Sequence, residues 1–185
     1  MNLPQHFFDL GYSTVSELWS RQEVRRISAI WENCLAGTSI HADRQLSLKY
    51  PDLFQAFQEV GLWDWVASQI GDSYRLVKSL YMDKPDQANW AVNWHQDLYG
   101  VVSGTVPKDW RLGKPKDGLC YVQLPDEYLS DQRTLRIHLD ECGPSQGGLQ
   151  VIEGSHANGV LDVPTQKRWI ERKFQLVTGA EGSAC

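Results

Sequence analysis

The 185-residue chain has little of what marks several protein classes. Its four cysteines lie far apart and form no C-x-x-C pair: Cys34, Cys120, Cys142 and Cys185. Such spacing argues against a zinc knuckle or a disulfide framework, and it is typical of the reduced thiols of a cytoplasmic protein. No apolar run approaches the ~20 residues that span a bilayer. Residues 1–10 lack the basic and apolar regions of a signal peptide, so we expect no membrane association.

Basic residues are also in the minority. Lysine and arginine number 18 against 23 acidic residues, which gives a net charge of -5. The basic residues are scattered without a block or stripe, so nucleic acid is not an expected partner. The length and the 42% hydrophobic content fit a single domain with its own core. Nothing in the sequence indicates an oligomeric state.

Helix signals occupy the first part of this domain, about residues 16–71. Ser20 to Glu23 fits a capping box, and apolar residues follow it at helical spacing. Pro51 is suited to the first turn of a second helix. Gly61 interrupts that helix, and Gly71 ends its continuation. We expect these helices to pack against a sheet.

Strand signals dominate the second part, about residues 74–185. Short runs of strand formers alternate with glycine and proline turns, including 74–82, 90–97, 121–124, 134–140, 149–152 and 174–177. The predicted fold class is therefore mainly β with flanking helices, an antiparallel barrel or jelly roll. Residues 99–117 are rich in glycine, proline and lysine, and we expect them to form a lid over an active site.

His95 and Asp97 are the candidate metal ligands. Residues two apart in a strand share a face, so the imidazole and the carboxylate would point the same way. They match two of the three ligands of the 2-His-1-carboxylate site that holds non-haem Fe(II). A lone His-x-Asp is also common as a surface pair or around a hydrogen-bonded core histidine, so the surrounding sequence has to decide.

Several further motifs occur in a fixed order around this pair, and together they resemble the phytanoyl-CoA dioxygenase family. They are Lys84-Pro85, Trp94-His95-Gln96-Asp97, Thr134 to Asp140, Gly147-Gly148-Leu149 and Gly154-Ser155-His156. The chain is most similar to bacterial members of this Fe(II)/2-oxoglutarate-dependent superfamily. The similarity extends from the helix after Ser20 to the end of the chain. The ordered set is more specific than any one motif.

The resemblance implies a double-stranded β-helix and an oxidoreductase. Fe(II) would be bound by His95 and Asp97, with 2-oxoglutarate as cosubstrate and O2 as oxidant. Oxidative decarboxylation of the 2-oxo acid would drive hydroxylation of a small organic substrate. A carboxylate at position 97, rather than a small residue that frees a site for halide, favours hydroxylation over the halogenation that some relatives perform.

The resemblance also indicates residues around the metal. Cosubstrate or pocket-mouth positions are Leu80, Lys84, Gln96 and Arg136. A buried guanidinium needs an anion, so a carboxylate would suit Arg136, although Asp140 on the same face could be its partner. Lys84 could equally be solvated, and Gln96 could hydrogen-bond within the sheet. Candidates for the substrate side are Trp110, Gln123 and His138, and packing is an equal alternative for His138.

One departure from the family concerns the third ligand. The family's second histidine ligand and its 2-oxoglutarate-binding arginine follow a turn resembling Thr178 to Gly182, and this chain ends at Cys185. We expect a shortened version of a longer protein, an inactive relative, or a barrel completed by another chain. Neither His138 nor His156 is assigned as the third ligand, and His156 is expected to be a turn histidine held by backbone groups.

Two other functions remain open. The first is a non-catalytic jelly-roll binding module that has lost the third ligand. The second is a cupin-like metalloenzyme that uses Mn, Ni or Zn for isomerisation or hydrolysis, because histidine and aspartate also bind these metals. The sequence does not distinguish an acyl thioester, an amino-acid derivative or a secondary metabolite as substrate.

Overall fold

The structure, a computed structural model, describes residues 3–85, 90–172 and 174–185. None of the helices in these ranges is long and apolar enough to cross a membrane. In chain order the elements are α1 (Gln5–Leu10), α2 (Arg21–Leu35), β1 (Ala42–Arg44), α3 (Leu46–Lys49), α4 (Pro51–Glu59), α5 (Leu62–Ile70), β2 (Leu80–Met82), β3 (Tyr99–Val102), β4 (Arg111–Leu112), β5 (Cys120–Gln123), α6 (Asp126–Leu129), β6 (Leu149–Val151), a 3-10 helix (Ser155–Asn158), α7 (Val163–Ile170) and β7 (Gln175–Val177).

The starts of α2 and α4 and both ends of α5 lie where the sequence predicts them. At the start of α2 the Ser20 hydroxyl accepts from the Glu23 amide, and the Glu23 carboxylate accepts from the Ser20 amide at 2.7 Å. This capping box satisfies two donors that a helix start leaves unpaired. Pro51 is the first residue of α4. Gly61 caps the start of α5 and Gly71 caps its end, and both glycines have positive φ. These predictions are confirmed.

The hydrophobic core lies mainly between these helices. The amphipathic face of α2 buries Val24, Ile27 and Trp31, and its partners in the core are Trp19, Leu46, Leu53, Ala56 and Leu62. Tyr81 of β2 reaches the same core, with its ring centroid 4.3 Å from that of Trp31. Ile137 and Leu139 also pack against it. The second part of the chain therefore shares the helical core.

The described strands form three small antiparallel sheets. β1 pairs with β2, β3 and β4 flank β5, and β6 pairs with β7. Within the β3-β5-β4 sheet, Gly100 lies opposite Val122, which is fully buried. In the β6-β7 pair, Gln150 lies opposite Leu176.

The predicted mainly β jelly roll is wrong. The described residues are 33% helix and only 16% strand, and their sheets have two or three strands and do not close into a barrel. Of the predicted strand 74–82 only the last three residues are a strand, and residues 90–97 form none. Residues 134–140 contribute one isolated bridge, at Ile137. The predicted lid at 99–117 instead contains β3 and β4. Strand propensity does not specify a partner, and a strand exists only where another segment completes its hydrogen bonds.

Residues 182–185 join the two parts of the chain. Ala184 exchanges hydrogen bonds with Val15, and Cys185 exchanges them with Arg136, at 2.8 and 2.9 Å in each pair. The Gly182 carbonyl accepts from the amides of Leu18 and Trp19. A Cβ on Gly182 would lie 2.5 Å from the Trp19 carbonyl oxygen, and φ is +81°. Position 182 therefore requires glycine, because a side chain would meet the Trp19 carbonyl and positive φ disfavours other residues.

The helical core allows a direct test of where stability resides. Ile27 is fully buried, whereas Ile40 is 36% exposed. We expect Ile27→Ala to lower the free energy of unfolding by about 2–5 kcal/mol, because it removes buried methyl groups and leaves a cavity. Ile40→Ala makes the same chemical change at the surface, and its expected cost is under ~1 kcal/mol. Urea unfolding measures both values, and equal losses would contradict this location of the core.

Candidate functional site

His95 and Asp97 lie on the segment of residues 90–98, which belongs to no strand. Residues 90–93 are all exposed, and exposure alternates from residue 94 to residue 98. Trp94 and Gln96 are half-buried, and His95 and Asp97 are exposed. On the inner side, the Trp94 ring packs at 5.7 Å from that of Phe174. The imidazole and the carboxylate therefore project from the outer side of one extended segment.

The imidazole of His95 is held in one orientation by the backbone. Its Nδ1 lies 2.7 Å from the carbonyl oxygen of Asn93. A carbonyl oxygen only accepts hydrogen bonds, so Nδ1 carries the hydrogen. In the neutral imidazole, Nε2 then keeps its lone pair. Histidines that bind metals usually donate their second ring N–H to a carbonyl or carboxylate in this way.

The carboxylate of Asp97 forms an ion pair with Lys78. Lys78 Nζ lies 3.0 Å from Oδ1, and the Lys78 and Asp97 side chains are 25% and 45% exposed. A pair this close to solvent contributes little to stability, about 0.2–1 kcal/mol. Sequence reasoning missed Lys78, since nothing in the pattern around it indicates a partner 19 residues later.

The donor chemistry of this pair fits Fe(II), but it does not make a complete site. An imidazole nitrogen and a carboxylate oxygen are two ligands of the facial triad. Across 3–85, 90–172 and 174–185, no group of three or more His, Cys, Asp or Glu side chains is placed to hold a metal ion. The described ranges therefore place no third candidate ligand with His95 and Asp97.

Gln96 is bound to a turn far along the chain. Its Nε2 donates to the carbonyl oxygen of Gly159 at 2.8 Å, and its Oε1 accepts from the amide of Leu161 at 2.8 Å. Both polar ends of the side chain are thus occupied by backbone groups. The structure does not show Gln96 directed at a cosubstrate.

Leu80 and Lys84 are the two predicted cosubstrate positions that precede His95 and Asp97 in the chain. Leu80 is the first residue of β2, and Lys84 follows the strand. The Lys84 ammonium is 5.3 Å from the centroid of the Trp90 ring. The Lys84 stem passes Gly147, where a Cβ would approach its Cδ to 3.1 Å. Leu80 lies opposite Arg44 in the β1-β2 pair and is 38% exposed.

Arg136 and His138 lie on the segment that pairs with residues 183–185. Arg136 Nη2 is 3.6 Å from the Cys142 thiol. In the described part of the chain its guanidinium has no ion pair with Asp140 or another carboxylate. His138 is 5% exposed, and its buried Nε2 has no hydrogen-bond partner there. Its ring packs on Gly179, where a Cβ would lie 2.2 Å from Cδ2.

The two residues predicted for the substrate side lie near the β3-β5-β4 sheet. Gln123 is on β5, opposite Tyr99 and Arg111. Trp110 precedes β4, and its ring packs at 5.5 Å from that of Tyr128. No described contact connects either side chain with His95 or Asp97.

His156 is held by backbone groups. Its Nε2 donates to the carbonyl oxygen of Phe8 at 3.0 Å, while the Gly154 amide donates to that of Leu10. The Gly-Ser-His turn therefore docks on α1. The expectation that the backbone holds His156 is confirmed, although the accepting carbonyl belongs to α1 and not to the turn itself.

Two open depressions occur on the helical part of the described chain. One of about 700 Å³ lies on α4 and α5 and is lined by Phe54, Gln55, Gln58, Glu59 and Trp63. The other, of about 380 Å³, is lined by Ile30, Asn33, Cys34 and Asp52. Neither contains a residue predicted for the metal, cosubstrate or substrate.

No protein-family model and no curated protein matches the chain.

The buried imidazole of His138 predicts a pH dependence of stability. Burial, and then the nearby Arg136 guanidinium, lower the pKa of His138 below its usual 6.5. The unfolded chain therefore binds a proton at pH values where the folded chain does not. We expect the contribution to be complete above pH ~6.5 and to be lost as the pH falls below that value.

Urea unfolding between pH 5 and 8 measures this effect. His138→Phe removes the titrating group, so the free energy of unfolding should fall less steeply below pH 6.5. Identical profiles for wild type and His138→Phe would contradict the assignment.

Proposed function

We propose that the chain is part of an Fe(II)/2-oxoglutarate-dependent dioxygenase related to the phytanoyl-CoA dioxygenase family. It would hydroxylate a small organic substrate, with His95 and Asp97 as two of the metal ligands. The single observation that supports this most strongly is the hydrogen bond from His95 Nδ1 to the Asn93 carbonyl, at 2.7 Å. It leaves the Nε2 lone pair available beside a carboxylate on the same side of the segment.

Bound iron, with the 2-oxo acid and O2, would supply the oxidising chemistry, and the protein would supply ligands and positioning. His95 would offer Nε2 and Asp97 a carboxylate oxygen. The Lys78 ammonium contacts Oδ1 of Asp97, so a bound metal cation would share the carboxylate charge with it. Arg136 would bind a carboxylate of the cosubstrate. Its guanidinium contacts a thiol and forms no ion pair with a described carboxylate.

A non-catalytic divalent-metal-binding module is the second candidate. It is favoured by the absence, within the described ranges, of a third histidine, cysteine or carboxylate beside the pair. Two protein ligands leave more positions to water than a triad does. The two candidates differ in one measurable property, since only the enzyme converts 2-oxoglutarate to succinate.

Removal of either ligand tests the proposal. We expect His95→Ala and Asp97→Asn each to weaken Fe(II) binding by at least about tenfold. The first removes the imidazole nitrogen, and the second replaces an anionic carboxylate oxygen by the oxygen of a neutral amide. Anaerobic calorimetric titration measures the affinity. A weak visible band on addition of 2-oxoglutarate, and succinate release in air, separate the dioxygenase from the binding module.

Matched controls are His6→Ala and Asp72→Asn, both at exposed positions outside the pair. They should leave the affinity unchanged. If wild type, the two ligand variants and the two controls all bind Fe(II) equally, His95 and Asp97 do not form the site.

A substitution of Lys78 gives a second test, in which we expect Fe(II) affinity to rise and not to fall. Lys78→Met removes the ammonium that pairs with Asp97 at 3.0 Å, while it keeps a long apolar stem. A metal cation then no longer competes with a neighbouring positive charge. We expect Fe(II) affinity to rise about two- to fivefold, which corresponds to the usual strength of an exposed ion pair. Weaker binding in the same titration would show that Lys78 supports the metal site instead of opposing it.

A further inference from the structure

The side chain of Gln96 joins the metal-ligand segment to a turn 63 and 65 residues away. We infer that Gln96 is a positioning residue, which acts through its neighbour by fixing the orientation of the His95 imidazole. The inference rests on the proposed function for the metal, but the effect on His95 itself does not require metal. It also gives Gln96 a role other than direct contact with a cosubstrate.

The two hydrogen bonds of Gln96 leave its amide one possible orientation. The Gly159 carbonyl can only accept, so it must face the NH2 group of the amide. The Leu161 amide can only donate, so it must face the Oε1 atom. A side chain that both donates and accepts is needed here, and glutamate could serve only the second contact.

The turn that Gln96 binds is itself anchored. Gly154 and His156 bind the carbonyls of Leu10 and Phe8 on α1. The Asn158 side-chain amide closes the turn by donating to the Gly154 carbonyl at 3.2 Å. After the turn, the Leu161 carbonyl accepts from Gln166 of α7 at 3.2 Å. Gln96 therefore binds a turn that is anchored to α1 on one side and to α7 on the other.

The two proposed metal ligands, His95 and Asp97, are the chain neighbours of Gln96. His95 precedes Gln96 and Asp97 follows it, both on the outer side of the segment. No strand ladder fixes the backbone at residues 93–97. The bond from His95 Nδ1 to the Asn93 carbonyl depends on the backbone angles of these same residues. A loss of the Gln96 contacts would let these angles vary and would release the imidazole.

The test compares wild type with Gln96→Met, which keeps the length of the side chain and removes both hydrogen bonds. Nitrogen NMR of the full chain without metal reports which ring nitrogen of His95 carries the hydrogen. Hydrogen exchange reports on the Leu161 amide. We expect Leu161 exchange to accelerate at least tenfold and His95 to lose its preference for the Nδ1–H form. Fe(II) affinity should fall about 10- to 100-fold, the usual effect of changing a group that orients a ligand.

Gln150→Met is the matched control, because Gln150 is exposed on β6. It should change none of the three measurements. Gln96→Glu is a second variant in case the methionine chain does not fold. It keeps an acceptor for Leu161 and loses the donor for Gly159, so we expect Leu161 to stay protected while His95 shows a smaller shift in the same direction.

The outcomes separate the two claims. If Leu161 exchange accelerates and the His95 proton stays on Nδ1, Gln96 supports only the turn and the positioning role is wrong. If His95 loses its preference for the Nδ1–H form in Gln96→Met, but neither this variant nor wild type binds Fe(II), the positioning role stands and the proposed function fails. Unchanged Leu161 exchange in Gln96→Met would overturn the inference at its first step.

Discussion

The backbone pairing of residues 182–185 is the constraint on which the arrangement of this protein depends. This short segment has Val15 on one side and residues 136–138 on the other, and its Gly182 carbonyl receives the amides that precede α2. Buried peptide groups need such partners, because an unpaired one costs about as much as a lost hydrogen bond. The segment thus fixes the second part of the chain against the helical core, and it buries His138 and Ala184.

His95 and Asp97, the candidate metal ligands, depend on a different kind of support. His95 and Asp97 lie in a stretch without strand pairing, so side chains have to fix its geometry. Trp94 packs on Phe174 and Gln96 binds the backbone of the turn at 159–161. Both contacts are made by half-buried side chains, while His95 and Asp97 stay exposed. The conformation of this segment therefore depends on residues that are far away in sequence.

Sequence reasoning located the local features well and the long-range ones poorly. The capping box at Ser20, the start of α4 at Pro51 and the ends of α5 at Gly61 and Gly71 were all predictable. The pairing of β6 with β7 was not, since it joins two segments that are separated along the chain by α7. For the candidate site, the two proposed ligands could be read from His-x-Asp. The ion pair of Asp97 with Lys78 and the contacts of Gln96 could not.

The sequence by itself determined the three long helices, the residues of the candidate metal pair and the chemical nature of its donors. These features depend on groups within about four residues of one another, so a linear pattern contains the information. Only the tertiary structure decided which strands form, that His138 is buried, and which backbone groups hold His95 and Gln96. Those outcomes depend on which distant segment supplies a partner, and strand-forming residues do not encode that choice locally.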